Sequence, residues 1–86
     1  MNREEAKSML LDVLHSMELI SKVERDAAAA PGADDIELGR LGIDSMAVVD
    51  ICVEVEGKIG RELRVEEIID NPTVDMLAAH LASPAP

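Results

Sequence analysis

Hydrophobic positions near the N-terminus recur every three or four residues, which is the spacing of one face of an α-helix. The pattern predicts a first helix over about residues 3–20. Asn2 and Glu5 resemble a capping box at its start. The predicted apolar stripe consists of Ala6, Met9, Leu10, Val13, Leu14, Met17 and Ile20. The first element is therefore predicted to be an amphipathic helix.

The helical period fades over residues 21–44, and we expect a long connection there. Alanines 27–30 could add one helical turn, which Pro31 and Gly32 would stop. A connection of this length is unusual in a small domain and needs anchors. The apolar residues available to pin it onto the core are Ile36, Leu38, Leu41 and Ile43.

Three further helices are predicted after this connection, over Ser45–Ile59, about residues 65–69, and Val74–Ala82. Gly60 should end the first of them, Pro72 prevents the short one from continuing, and Thr73 is well placed to cap the last. No strand pattern and no internal repeat is visible. The predicted fold class is all-α: a bundle of three longer helices and one short third helix, with a long first loop.

The length of 86 residues suits one small domain. We expect that domain to cover residues 1–82, with residues 83–86 as a tail. The N-terminus lacks the apolar run of a signal peptide, and no segment approaches a membrane span. The sequence predicts a cytoplasmic monomer. Met1 and an apparently complete first helix favour a discrete protein over a piece cut from a larger synthase.

Charge and composition exclude several classes of function. Eighteen acidic against eight basic residues give a net charge of −10, which argues against nucleic acid or an anionic membrane as partner and favours a basic docking surface. The absence of Phe, Tyr and Trp predicts an aliphatic core and leaves no platform for stacking a base. The single cysteine, Cys52, excludes an intrachain disulfide and is expected to be buried and inert.

The sequence contains no catalytic or metal-binding motif, so we predict that the protein is not an enzyme. His15 and His80 have no ligand partners at metal-site spacing and are expected to be partly exposed helix residues. Glu66 and Glu67 are expected to complement the dipole at the start of the short helix.

The helix predicted over Ser45–Ile59 has more hydrophobic residues than its own packing requires. On a helical wheel its apolar centre consists of Val48, Cys52, Val55 and Ile59, with Ile51 on the flank. Met46, Val49 and Val53 are left over along an edge beside Asp50 and Glu54. One interpretation is that some of these side chains contact the long connection. The other is that they form a docking surface for a partner with a hydrophobic groove rimmed by basic residues.

A serine hydroxyl lies where the long connection meets this helix, in Gly42-Ile43-Asp44-Ser45-Met46. Unpaired N–H groups and the macrodipole make a helix N-terminus electropositive, so an anionic phosphate ester on Ser45 would be stabilised there. Viewed alone, a serine at this place is more often a simple helix cap.

This motif resembles the phosphopantetheine attachment site of acyl and peptidyl carrier proteins, whose core is Gly-x-Asp-Ser-Leu. Met46 takes the place of the leucine, a volume-conserving change. Residues 68–74 look like the junction between the third and fourth helices of carrier domains in polyketide and nonribosomal peptide systems. The resemblance extends from the first helix through Leu81 and implies a four-helix bundle of the acyl-carrier type.

The resemblance implies a definite chemistry. A phosphopantetheinyl transferase would attach 4′-phosphopantetheine from coenzyme A to Ser45, with Asp44 assisting the modification. The thiol of the arm would hold acyl intermediates as thioesters and shuttle them between enzymes of polyketide or fatty-acid-like biosynthesis. Partner enzymes with basic docking surfaces would bind this protein along one face of the second helix. We call this face the docking strip, and it consists of Met46, Val49, Asp50, Val53, Glu54 and Glu56.

Two alternatives remain open from the sequence: an aminoacyl or peptidyl carrier of a nonribosomal peptide pathway, loaded by an aminoacyl-loading enzyme, and a helical adaptor that is never modified. Ala47 and Gly57 are neutral where fatty-acid carriers are often acidic, and the first loop is long. Both departures favour secondary metabolism over primary fatty acid synthesis.

Overall fold

The computed structural model describes residues 1–82 as five α-helices. They are α1 (Arg3–Ser16), α2 (Lys22–Ala29), α3 (Ser45–Ile59), α4 (Val65–Asp70) and α5 (Val74–Ala82), with a 3-10 turn at Leu38–Leu41. The described part of the chain contains no regular β-strand, which confirms the all-α class. The tail predicted at residues 83–86 lies outside the described residues. Within residues 1–82, no helix is long and apolar enough to cross a lipid bilayer.

Helix α1 begins as predicted but ends at Ser16, earlier than the apolar pattern indicates. Its predicted capping box is present, since the Glu5 amide donates to Asn2 Oδ1 at 2.8 Å. At the other end Glu18 adopts a left-handed conformation with φ 61°. The amides of Glu18 and Leu19 then donate to the carbonyls of His15 and Leu14, a Schellman motif that closes the helix. The apolar pattern continues because the reversed chain returns Ile20 to the core.

Helix α2 corrects the prediction that residues 21–44 form one long loop. Ser21 and Glu24 make a reciprocal capping box, with the Glu24 amide donating to Ser21 Oγ at 3.1 Å. Ala28 is the buried residue of this helix, so the sequence shows almost no apolar periodicity there. Arg25 instead ties α2 to α1 through an ion pair with Asp12. Helix α2 is therefore joined to α1 by the buried Ala28 and this surface ion pair rather than by a hydrophobic stripe.

The C-terminal half follows the predicted boundaries closely. Helix α3 runs over Ser45–Ile59 and ends at Gly60, whose left-handed φ of 72° favours a glycine. Helix α4 extends one residue beyond the prediction, to Asp70. Thr73 caps α5 as predicted, because its Oγ1 accepts a hydrogen bond from the Met76 amide at 3.1 Å.

The core is aliphatic, as the composition predicts. Helix α1 packs against α2, α3 and α5, and α4 packs against α3. The largest fully buried side chains come from α1, α3 and α5 and are Leu11, Val13, Ile51, Val55, Val74 and Leu77. Among residues 1–82 no charged or polar residue is fully buried, so the whole net charge lies at the surface.

The second half of the long connection is anchored as predicted. Leu38 is buried, and Ile36, Leu41 and Ile43 lie half-buried against the core. The connection therefore reaches α3 along a packed path, which decides how the start of that helix is presented.

Candidate functional site

Ser45 is the first residue of α3, and its side chain is exposed. The cap of this helix is Asp44, which has extended backbone and accepts a hydrogen bond from the Ala47 amide on Oδ1 at 2.8 Å. Ser45 itself makes no side-chain hydrogen bond to any residue from 1 to 82. The cap of α3 is thus Asp44 and not Ser45, whose hydroxyl is exposed to solvent.

The approach to Ser45 is shaped by a glycine at the end of the 3-10 turn. Gly42 has a left-handed φ of 68°, a conformation that side-chain-bearing residues rarely adopt. A Cβ added there would meet no atom within 4 Å, so the backbone angle, not lack of space, requires glycine. Ile43 then returns to the core and leaves Asp44 and Ser45 at the surface.

The electrostatics at this point favour an anionic group on Ser45. The first amides of a helix have no intrahelical acceptor, and Asp44 satisfies that of Ala47 alone. The amides of Ser45 and Met46 stay available beside the hydroxyl, at the positive end of a 15-residue helix. An exposed nucleophilic oxygen and an electropositive helix end fit a phosphodiester.

The apolar edge of α3 is exposed to solvent. Met46 is 75% exposed, Val49 is 50% exposed and Val53 is 60% exposed. At least half of each side chain is therefore open to solvent, so the long connection does not cover this edge. Asp50 and Glu54 are also exposed, whereas Glu56 is half-buried. The docking strip is thus an apolar ridge with carboxylates at its side.

The buried face of α3 differs slightly from the predicted wheel. Ile51, Cys52 and Val55 are buried, whereas Val48 and Ile59 are half-buried. The buried face is thus rotated toward Ile51, which the wheel places on the flank. A helical wheel contains no information about the position of α1. Because α1 packs on α3, its position determines which side chains of α3 are buried.

An exposed isoleucine on α4 was missed by the sequence analysis. Ile69 is 66% exposed, whereas its neighbour Ile68 is buried. The signal was available, because two consecutive isoleucines in a six-residue helix cannot both face the core. Since α4 packs against α3, Ile69 adds a further exposed apolar side chain on the element next to the docking strip.

Cys52 is buried on the core side of α3, as predicted. Burial raises the pKa of its thiol, and the charges of Glu56, Glu67 and Glu66 raise it further. A thiol whose charged form is disfavoured in this way is a poor nucleophile.

Glu67 makes more contacts than the helix-dipole interpretation predicts. Its Oε2 accepts from the Arg64 amide at 2.7 Å, and its Oε1 lies 2.8 Å from His80 Nε2 and 3.3 Å from Arg61 Nη1. The hydrogen bond from the Arg64 amide, followed by that of His80, lowers the pKa of Glu67 to about 2. His80 is half-buried and pairs with α4 rather than standing free. The group ties α4 to α5.

Comparison with known proteins places these features in a family. The family model described as "Phosphopantetheine attachment site" matches residues 17–81. Nonribosomal peptide synthetase 2 of Gibberella zeae is 33% identical over 69 residues, and the match covers 73% of this chain and 1% of that protein. The chain thus spans about 1% of the length of this curated relative. No solved structure matches it.

The match begins just after α1 and covers α2, the rest of the connection, α3, α4 and nearly all of α5, including the exposed hydroxyl at the start of α3. Domains of this family are generally carriers without catalytic activity of their own, and they interact with modifying and loading enzymes. The chain therefore belongs to the phosphopantetheine attachment site family, and its cofactor is 4′-phosphopantetheine.

Proposed function

We propose that Ser45 bears the 4′-phosphopantetheine arm and that the protein carries thioester-bound intermediates between enzymes. The observation behind this proposal is the Ser45 hydroxyl, which is exposed at the head of α3 and released from capping by Asp44. On a phosphopantetheinyl transferase, Ser45 Oγ would lose its proton and form a bond to the phosphorus that carries the pantetheine arm of coenzyme A. The P–O–P bond of the pyrophosphate breaks in the same step, and adenosine 3′,5′-bisphosphate leaves. When bound, the arm supplies a terminal thiol that holds the cargo as a thioester.

The residues around Ser45 prepare this attachment. The free amides of Ser45 and Met46 favour the phosphodiester, by about 0.3–1 kcal/mol for a charge at a helix end. Asp44 holds the helix start in place through the Ala47 amide and leaves its second carboxylate oxygen toward solvent, next to the modified residue. We assign it the role of assisting the modification on the transferase.

The composition of the docking strip indicates which kind of partner surface would bind it. Exposed Val49 and Val53 offer apolar contact area, and the neighbouring Asp50 and Glu54 add negative charge. Transferases and loading enzymes that dock here would present a hydrophobic groove with Lys or Arg at its rim. Complementary charges of this kind act mainly on the association rate and on the choice of partner.

Two classes of cargo fit this carrier. An acyl group of a polyketide or fatty-acid-like pathway is the first, with secondary metabolism favoured by the neutral Ala47 and Gly57. An aminoacyl or peptidyl group is the second, and the similarity to a nonribosomal peptide synthetase supports it. Incubation of the modified protein with amino-acid-adenylating or acyl-transferring enzymes distinguishes them by the mass of the bound group. A cytoplasmic location stays a prediction from the sequence.

Intact-mass measurement tests the attachment. Incubated with coenzyme A and a broad-specificity transferase, the wild-type protein should gain the mass of one arm. Ser45→Ala should gain none, while Ser8→Ala, which changes an exposed serine of α1, should behave as wild type. Modification of Ser45→Ala would contradict the assignment. A wild-type protein that stays unmodified with several transferases would favour the unmodified helical adaptor.

A further inference from the structure

The connection that leads to Ser45 is joined to the start of α5 by backbone hydrogen bonds. The Val74 amide donates to the Ile36 carbonyl at 3.0 Å, and the Leu38 amide donates to the Pro72 carbonyl at 2.9 Å. They flank an isolated antiparallel bridge between residues 37 and 73. Two segments far apart in sequence thus form one small unit of backbone structure near the modified helix.

Asp35 adds a side-chain contact at the edge of this unit. Its Oδ1 accepts hydrogen bonds from the amides of Ile36 and of Asp75, both at 2.9 Å. Asp75 lies in the first turn of α5, where an amide has no acceptor inside its own helix. Thr73 caps the Met76 amide of the same turn locally. Helix α5 thus has one cap from its own segment and one from the connection.

A continuous packed path runs from Asp35 to Ser45. Leu38 is buried at the start of the 3-10 turn, Gly42 reverses the chain, and Ile43 is half-buried just before Asp44. The path is held at one end by the contacts with α5 and at the other by the cap of α3. Without the Asp35 contact, this end would be held only by the two backbone hydrogen bonds and by the aliphatic side chains of the connection, so it would be more loosely fixed.

We propose that Asp35 is a positioning residue for the modification of Ser45. It fixes the connection, and through it the approach along residues 42–44, in the geometry that a phosphopantetheinyl transferase binds. The inference rests on the proposed function. When only a fraction of the molecules holds the competent geometry, the apparent dissociation constant rises in inverse proportion to that fraction, and the rate of the bound complex is unchanged. Loss of the Asp35 contact should therefore raise KM and leave kcat unaltered.

Steady-state modification with a broad-specificity transferase and coenzyme A tests this role. Asp35→Ala should raise the KM for the carrier by more than about twofold and by at most about tenfold, the ceiling that loss of a hydrogen bond sets on the change in competent fraction, with kcat within about twofold. Asp35→Asn should restore the wild-type KM, because its amide oxygen can accept from both amides. Circular dichroism should show that each variant is folded at the assay temperature.

Thr73→Ala is the matched control, because it removes the local side-chain cap of the same turn of α5 and leaves the Asp35 contact in place. It should lower stability to a similar degree with the KM within about twofold of wild type. An equal rise of KM in this variant would reduce Asp35 to a stabilising residue and overturn the proposal. A wild-type KM in Asp35→Ala, or a fall in kcat alone, would overturn it as well.

Two further outcomes keep the test decisive. Should Asp35→Ala fail to fold, Asp35→Glu tests the same contact, since its longer side chain keeps the charge but displaces the accepting oxygen. Its KM should rise, and a wild-type value would overturn the proposal. Failure of the wild-type protein to be modified at all would refute the proposed function, whereas modification that is indifferent to Asp35 would refute only this inference.

Discussion

Replacing Glu67 by glutamine should lower the free energy of unfolding at neutral pH. In acid, wild type and variant should have the same free energy of unfolding. The carboxylate accepts from the Arg64 amide and lies within 2.8 Å of His80 and 3.3 Å of Arg61. These donors favour the charged form and lower the pKa of Glu67 from its ordinary 4.5 to about 2. A glutamine keeps the size of the side chain but removes its charge.

The pKa shift sets the size of the effect. At about 1.4 kcal/mol per pKa unit, the full shift corresponds to roughly 3 kcal/mol. The Glu67 side chain is 21% exposed, and solvent screening reduces the value to about 1–2 kcal/mol. Because the pKa is lowered in the folded state, the stabilisation is complete above about pH 4.5 and is lost as the pH falls toward 2.

Urea unfolding over this pH range is the assay. Unfolding must be followed by the helical circular dichroism signal, since the chain has no tryptophan or tyrosine for fluorescence. The difference in unfolding free energy between wild type and Glu67→Gln should be about 1–2 kcal/mol at neutral pH and should vanish near pH 2. Glu66→Gln changes an exposed neighbour and should stay within about 0.5 kcal/mol of wild type. A difference that does not change with pH would refute the reasoning.

The remaining predictions separate the docking strip from the core. Val49→Asp should reduce transfer to partner enzymes with a melting temperature near wild type, because Val49 is half exposed. Val55→Asp should unfold the protein, since Val55 is 0% exposed and an unpaired buried charge costs several kcal/mol; retained helical circular dichroism would contradict its assignment to the core. Glu54→Lys should slow association with partners and weaken its dependence on salt, measured by stopped-flow binding; an unchanged rate would argue against charge steering.

The features that the sequence predicts correctly are those decided by a few neighbouring residues. The ends of α3 follow from the cap at Asp44 and the glycine at Gly60, and the aliphatic core follows from the composition. Helix α2 also begins with a capping box in the sequence. Its absence from the prediction follows from its lack of apolar periodicity, because only Ala28 of this helix faces the core. The local signal for this helix, Ser21 followed by Glu24, was missed.

Tertiary structure alone decides how separate segments meet. The early end of α1 depends on the chain reversal at Glu18, which brings Ile20 back to the core. Contacts such as Asp35 with Asp75, and Glu67 with His80, join residues that no local pattern pairs. A side chain's neighbours in sequence determine its helix and its cap, because those interactions span three or four residues. The partner across the bundle depends on how all the helices pack at once.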